Sequence, residues 1–488
     1  IFAIGQPEIG RNGWSFLLIL SMTQNIILDP KIRKSLEVSW KEGIPAAIML
    51  GVMDYYLIPF GLYLAATTHQ IGALVAIPNL LGSVAQLFAV PIVRWAGSRL
   101  RFLVGGAFLQ ASLLIPVAFL ALGPVPYSVG ILIALYTGFK IIGNLIGTAW
   151  GSLVSDYLPP HKRGNYLGWR SQVVGIAGLA GIGVGGLFLF LMLPISPPFG
   201  FFVLFLGAAL CRFLSFGLMR QMADLPLIAK PEQDFTFFMF VRRFKESNFV
   251  KYVLYVAGIT FAVHLSAPYF SVYLLRDLQF NYLSYMAVHL SAVLAGLIAF
   301  PIWGRHADLT GNAHILKITS LMIPVIPILW LFSSNLLYLI FVELFAGFVW
   351  GGFNLCATNF IYDAVSPEKR VRCLGYFNLI NGIAIFFGAS LGGFWASHLP
   401  PLGRSSLLTL FLISGILRFA AHFLLSPNFK EVRETAKKVS SLKLFFSVVG
   451  IRSLAGENQE WGIFPWLRSI AGSPFFRPLR SRLKKKRA

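Results

Sequence analysis

The chain has 488 residues, 56% hydrophobic and 12% charged, with a mean hydropathy of +0.72. Soluble domains carry about twice that share of charge, so a soluble enzyme or binding module is excluded and an all-α polytopic membrane protein is indicated. A net charge of +22 would suggest nucleic acid in a soluble chain, but here Lys and Arg gather in connections on one side and in the tail, which removes that partner.

In chain order, residues 1–40 read as an N-terminal extension. Its run WSFLLILSMTQNIIL, residues 14–28, is short for a span; a leader, an interfacial helix and a shifted start all stay open. Apolar runs of about 20 residues, the length that crosses a bilayer, then recur. They predict six spans at 43–66, 71–93, 102–123, 127–153, 166–193 and 200–220, and six more at 250–275, 283–304, 313–333, 336–361, 374–398 and 405–426. Between the sets lies a central loop, 223–249, carrying KPEQD and VRRFKES. The domains expected are therefore a first bundle at 41–222, that loop, a second bundle at 250–428 and a basic tail at 429–488. Within the tail, WGIFPWLRSIAG, residues 461–472, reads as an interfacial segment or as unstructured chain.

The connections after the even spans, such as RWAGSRLR, PPHKRGN and SPEKRVR, hold nearly all the loop Lys and Arg, whereas ATTHQ, LGPVPYS and SSN after odd spans do not. The positive-inside rule puts the even connections and both termini in the cytoplasm, in a plasma (inner) membrane. The three cysteines, Cys211, Cys356 and Cys373, are far apart and form neither a disulfide framework nor a metal motif. No cofactor is expected.

The two bundles repeat. Displacing the sequence by 207 residues lays SDYLPPHKRGNYLG over YDAVSPEKRVRCLG, so that Asp156 meets Asp363, Lys162 meets Lys369 and Arg163 meets Arg370. The same displacement matches Gly181, Gly185 and Gly186 with Gly388, Gly392 and Gly393, and one of 206 matches Arg212 with Arg418. A displacement of 210 sets Asp54, Phe60 and Tyr63 over His264, Phe270 and Tyr273. Halves with even numbers of spans share one orientation in the membrane.

Two six-helix halves, a long central loop and the loop WGRHADLTGN, with Gly304, Asp308 and Gly311, resemble the major facilitator superfamily of transporters over residues 41–428. The resemblance implies that superfamily's fold and a secondary active transporter working by alternating access, with spans 1, 4, 7 and 10 lining a central cavity. In the first half the equivalent loop keeps Gly97 but has Arg94 where an Asp is expected, which shifts gating to the second half. The GPxxGG antiporter pattern is incomplete, with Ile182 and Ala389 at the proline positions.

Ionisable residues inside spans are costly, about 2.5–3.5 kcal/mol at the bilayer centre on insertion scales, and are functional candidates by default. Asp54, Lys140, His264 and Glu343 fall one on each cavity-lining span; Asn144, Trp350 and Asn354 share the Lys140 and Glu343 helices. These seven are the expected substrate and proton site, the alternative being buried pairs and interhelical bonds that fix packing. Asp156 with Arg163, and Asp363 with Arg370, are expected to form gating charge contacts. Arg212 and Arg418 are expected to snorkel or to pair with such loop carboxylates. GIGVGG, residues 181–186, fits GxGxxG, and GASLG, residues 388–392, fits GxSxG. Both lie inside spans with no preceding strand, so close helix packing explains them and an enzyme is not expected. The expected partners are the lipid bilayer, a small organic solute and protons. The alternative is a non-transporting scaffold or assembly factor on the same fold.

Overall fold

The computed structural model describes residues 29–123, 125–226, 242, 247–366 and 369–433. The run WSFLLILSMTQNIIL, residues 227–241 and 243–246 of the central loop, and the tail with WGIFPWLRSIAG and the terminal RPLRSRLKKKRA lie outside the described residues. Among the described residues eleven helices are long and apolar enough to cross a membrane, and twelve if one pair bent by 59° counts as a single span.

Span 1 is Pro30–Tyr63, span 2 the bent pair Thr68–Gln86 and Ala89–Ala96, span 3 Arg99–Phe119, span 4 Ser128–Asp156, span 5 Pro160–Met192 and span 6 Pro197–Met219. In the second half span 7 comprises Asn248–His264, Ala267–Val272 and a π turn at Tyr273–Asp277, and span 8 is Tyr282–Thr310. Span 9 is Asn312–Met322 with Val325–Leu329, span 10 Leu336–Ala364, span 11 Arg370–His398 and span 12 Ser406–Leu425.

Span 1 starts well before the residue 43 expected from hydropathy. Asp29 caps it, accepting the Lys31 amide at 2.9 Å, and Pro30 occupies its first turn, where a missing N–H costs nothing. Its charged opening turns bury one face through Ser35, Leu36, Ser39 and Glu42. Span 7 breaks at Leu265–Ser266, just ahead of Pro268, and span 9 breaks at Ile323–Pro324. In each case the ring removes a backbone donor and crowds the preceding turn.

The glycine motifs are packing seams. A Cβ at Gly181 would lie 2.5 Å from the Ile48 carbonyl, and one at Gly388 2.5 Å from the Phe261 carbonyl. Likewise Gly185 abuts the Tyr56 ring at 2.7 Å and Gly392 the Tyr269 ring at 2.8 Å. The Tyr56 hydroxyl donates to Ile182 O, and that of Tyr269 to Ala389 O. These contacts pair span 1 with span 7 at a displacement of 213 residues, not the 210 read from the sequence. The structural counterpart of Asp54 is therefore Ala267, and that of His264 is Gly51. Spans 8 and 10 meet as closely, with Gly347 directly against the Ala292 carbonyl. Gly347→Ala must push these helices apart, at a cost of about 1–3 kcal/mol for overpacking; we expect a lower unfolding temperature in a thermal melt, with Gly105→Ala, in open space, as the unaffected control.

The largest apolar core unites the halves toward the odd connections. There one cluster joins Phe60, Phe201 and Phe205 of the first half to Tyr269, Tyr285, Trp330 and Phe411 of the second. Toward the even connections the core divides into one cluster per half, around Leu103 and Leu153 in the first and around Trp303 and Phe353 in the second. The shared core thus lies toward the odd connections, while spans 2 and 11 run together along most of their length, from Thr68 beside Ser397 to Leu87 beside Gly375.

Candidate functional site

At the middle of the first half, Asp54 of span 1 and Lys140 of span 4 form an ion pair at 3.2 Å, with side chains 45% and 24% exposed. Met53, Tyr56 and Leu57 around Asp54 are buried, so the pair faces an interior opening and not the packed core. The Lys140 ammonium lies 5.4 Å from the centre of the Tyr136 ring, a cation–π contact. The second half closes over the neighbouring turn. Tyr285 donates to the Tyr55 carbonyl at 2.7 Å, and the His289 ring sits edge-on to Tyr55 and Tyr285 at 5.6 and 4.5 Å. Ser271 bonds both Tyr285 and His289, at 3.1 and 3.4 Å. The Glu343 carboxyl of span 10 forms no ion pair among the described residues. Asp54 and Lys140 thus meet, and Tyr55, Ser271, Tyr285 and His289, which the sequence reading did not single out, lie at the neighbouring turn.

The other expected site residues are placed differently. His264 bonds the Thr260 carbonyl on its own helix at 2.9 Å, and its β carbon is 3.2 Å from where Gly388 would carry one. It fills the seam between spans 7 and 11 and is not the partner of Asp54 by symmetry. Trp350 packs edge-on to Phe353 at 5.5 Å. Asn354 is exposed, its carbonyl accepting the Thr358 hydroxyl. Asn144 lies against Gly82 of span 2, its amide nitrogen 2.6 Å from the position of a Cβ there, and shares the Lys140 face one turn along.

At the even-connection ends each half carries a clasp. In the first, Arg99 pairs with Asp156 at 2.7 Å, while Asp224 accepts from the Ser98 hydroxyl and the Leu100 amide at the start of span 3. In the second, Arg433 pairs with Asp363 at 2.8 Å and with Asp308 at 3.4 Å, Asn312 donates to Asp363, and Glu431 accepts from the Ala313 amide at the start of span 9. The carboxylates repeat at 207 residues, Asp156 with Asp363 and Asp224 with Glu431, but the guanidinium comes from span 3 in one half and from beyond span 12 in the other. Burial disfavours the Arg433 charge, yet Asp363 and Asp308 hold it above the usual arginine value. The expected partners are not used: Arg163 donates to Leu158 O and Arg370 to Tyr362 O, because both sit in the first turns of the following helix and fold back onto the carbonyls that end the preceding one.

The signature loop closes on this clasp. Gly311 adopts φ +87°, and a side chain there would run into the Glu431 carboxylate; Gly97 ends span 2 at φ +69°, and Arg94 is exposed. A Cβ on Gly304 would only touch Leu355 at 3.6 Å. Asp363→Asn weakens two bonds to Arg433 and leaves Arg433 with the exposed Asp308. A loss of about 1–3 kcal/mol is expected for a charged hydrogen bond of this kind, read as a lower melting temperature, whereas Arg94→Ala should change nothing measurable.

The family model described as Major Facilitator Superfamily matches residues 44–388 and again 253–481. The chain belongs to that superfamily. Among solved structures it is similar to a bacterial homologue of the human lysosomal transporter Spinster in its inward-facing, unoccupied conformation, with 15% identity and a TM-score of 0.62 over 82% of this chain and 98% of that one. It is also similar to the nucleoside transporter NupG, with 13% identity and a TM-score of 0.63 over 81% and 99%. A bacterial homologue of the iron transporter ferroportin in the inward-facing state gives 14% identity and 0.59 over 80% and 98%. No curated protein matches. At such identities the likeness concerns the fold.

In this superfamily member the hydropathy reading missed a buried ion cluster around Glu42. Glu42, 2% exposed, pairs with Arg170 of span 5 at 3.1 Å and accepts from Trp150 at 3.1 Å and Ser215 at 2.9 Å. Arg170 also donates to the Ser39 carbonyl, and its guanidinium lies 3.9 Å from the Trp150 ring centre. Arg212 of span 6 bonds Ser215 at 3.0 Å and so reaches Glu42 through that hydroxyl. Arg212 and Arg418 are 5% and 2% exposed: neither snorkels, and neither meets Asp156 or Asp363. Arg418 is held by the Ser414 and Ser266 hydroxyls and the Ile323 and Val263 carbonyls. The signal available in sequence was the Arg212–Arg418 match itself, since two charges at equivalent depth need interior partners.

Proposed function

We propose that the protein is a secondary active transporter that carries a small organic solute by alternating access, coupled to protons. The observation that carries this reading is the partly open Asp54–Lys140 pair beside the Tyr55–Tyr285 junction of two related halves whose main shared core lies toward the odd connections. The ion pairs bind each half within itself: Arg99–Asp156 and Arg170–Glu42 in the first, Arg433–Asp363 in the second. The hydrogen bonds between halves among the described residues are neutral, such as Thr68 with Ser397 at 2.9 Å and Gln86 with Asn378 at 3.0 Å. Such an arrangement favours two stiff bodies rocking on a closely packed seam that no ion pair among the described residues locks. With the even connections cytoplasmic, as their charge implies, the form described opens inward, in the plasma (inner) membrane and with both termini inside. Lys140, Asn144, Tyr55 and His289 then offer polar contacts to the solute, and Asp54 and Glu343 are the proton carriers. No catalytic set accompanies them, and nothing among the described residues favours a scaffold.

The test is solute-driven proton movement in liposomes, followed with an entrapped pH dye. Wild type should acidify or alkalinise the lumen on addition of its solute, and Glu343→Gln should move solute with the proton signal reduced at least about tenfold. An unchanged proton signal in both Glu343→Gln and Asp54→Asn removes the carboxylates from coupling.

A further inference from the structure

Beside the central pair lies a cavity of about 320 Å³ within the first half, lined by Lys140, Asn144, Glu42, Trp150, Arg170 and Arg212 among others. This is the small end of the roughly 300–1,000 Å³ range of ligand pockets. We infer that the cavity is an anion seat taking the carboxylate of a small organic monoanion between Arg170 and Arg212; as an assignment of solute class, it rests on the transporter reading above.

Three observations converge. Lys140 is balanced by Asp54, but Arg170 and Arg212 share the single carboxylate of Glu42, which leaves one positive charge in excess. Arg212 is 5% exposed, lines the cavity, and its Nε has no hydrogen-bond partner; an unmatched buried guanidinium donor is an expensive feature. The third is the comparison between halves. At the 213 and 207 displacements that their contacts define, Ser39, Glu42 and Arg170 correspond to Tyr252, Tyr255 and Phe377. There the same seat is filled by rings: Tyr252 stacks on Phe377 at 6.1 Å and an interplanar angle of 3°, and Tyr255 meets Phe429 at 4.7 Å. The Tyr255 hydroxyl donates to the Leu316 carbonyl, and Arg418 has neutral acceptors throughout. The fold therefore builds this position without an ion cluster, and the excess cation in the first half is left to a ligand. A carboxylate matches the planar guanidinium fork in two parallel bonds, and one negative charge restores neutrality.

Full-length protein in detergent micelles would be melted with matched pairs of probes: acetate with acetamide, lactate with lactamide, benzoate with benzamide. At saturation at least one carboxylate should raise the melting temperature by about 2 °C or more, by linkage of binding to folding, while its amide should not. In a folded Arg212→Lys variant, which keeps the charge and loses the fork, the concentration needed should rise at least about tenfold. Equal effects of acid and amide, no effect of any carboxylate on wild type, or an unchanged dose response in Arg212→Lys would each overturn the seat. Inorganic phosphate stabilising as well as the best carboxylate would overturn the monoanion assignment. The wild-type comparison decides even if the variant does not fold. Carboxylate binding without uptake into liposomes would sink the transport reading and keep the seat; uptake of a neutral solute with no carboxylate binding would do the reverse.

Discussion

Glu42→Gln is expected to be the most damaging single substitution in the first half. The carboxylate it removes is the ion-pair partner of Arg170 and, through Ser215, the neighbour of Arg212. Glutamine keeps the shape and can still accept from Trp150 or Ser215, but it leaves two buried guanidinium groups uncompensated. Breaking one side of a buried pair costs about 3–5 kcal/mol, which at about 1 °C per kcal/mol for a chain of 488 residues lowers the melting temperature by roughly 3–5 °C. The second half supplies a control: the pair Glu42→Tyr with Arg170→Phe copies the rings at Tyr255 and Phe377 and should recover part of that loss, since both members of a buried pair can be replaced by apolar groups at little cost. A melt of Glu42→Gln within 1–2 °C of wild type would show that the cluster carries no such charge burden.

Asp54→Asn is expected to behave in the opposite manner, stable but inactive. Its pair with Lys140 is partly exposed, and pairs of that kind contribute only about 0–1 kcal/mol to stability. The same carboxylate sets the charge on the interior face where the solute is proposed to bind. Losing a charge-assisted contact worth about 1.5–3 kcal/mol lowers transport by roughly tenfold to a hundredfold. Lys140→Gln should do likewise. Uptake assays run beside thermal melts separate the two effects, and an Asp54→Asn protein that transports normally would remove this pair from the site.

The architecture was legible because spans must be continuous and apolar, and because the stretch around Asp156 recurs at Asp363 with its Asp, Pro, Lys and Arg in register. What escaped had physical causes. The opening turns of span 1 hold Lys31, Arg33, Lys34, Glu37, Lys41 and Glu42, so a scan for apolar runs ends before them, although the helix continues and buries Glu42. The displacement of spans 1 and 7 was misjudged by three residues, nearly one helical turn. Such a slip keeps aromatics on the same face and makes Phe60 over Phe270 look right when the structural counterpart of Tyr56 is Tyr269. It also made Asp54 and His264 seem equivalent. Asp156 and Asp363 were recognised as the anchors of the even-side ends, but their partners Arg99 and Arg433 lie 57 and 70 residues away. No local pattern reveals such contacts, whereas the nearer Arg163 and Arg370 invited a local pairing.

Counterflow tests the central claim most directly. Liposomes containing the protein are loaded with an excess of unlabelled solute and diluted into the labelled solute, with no ion gradient imposed. A carrier whose two halves alternate around the Asp54–Lys140 centre must show a transient overshoot of label inside, reduced at least about tenfold in Asp54→Asn. Entry that rises smoothly to equilibrium without an overshoot, or no entry despite solute binding, would contradict alternating access.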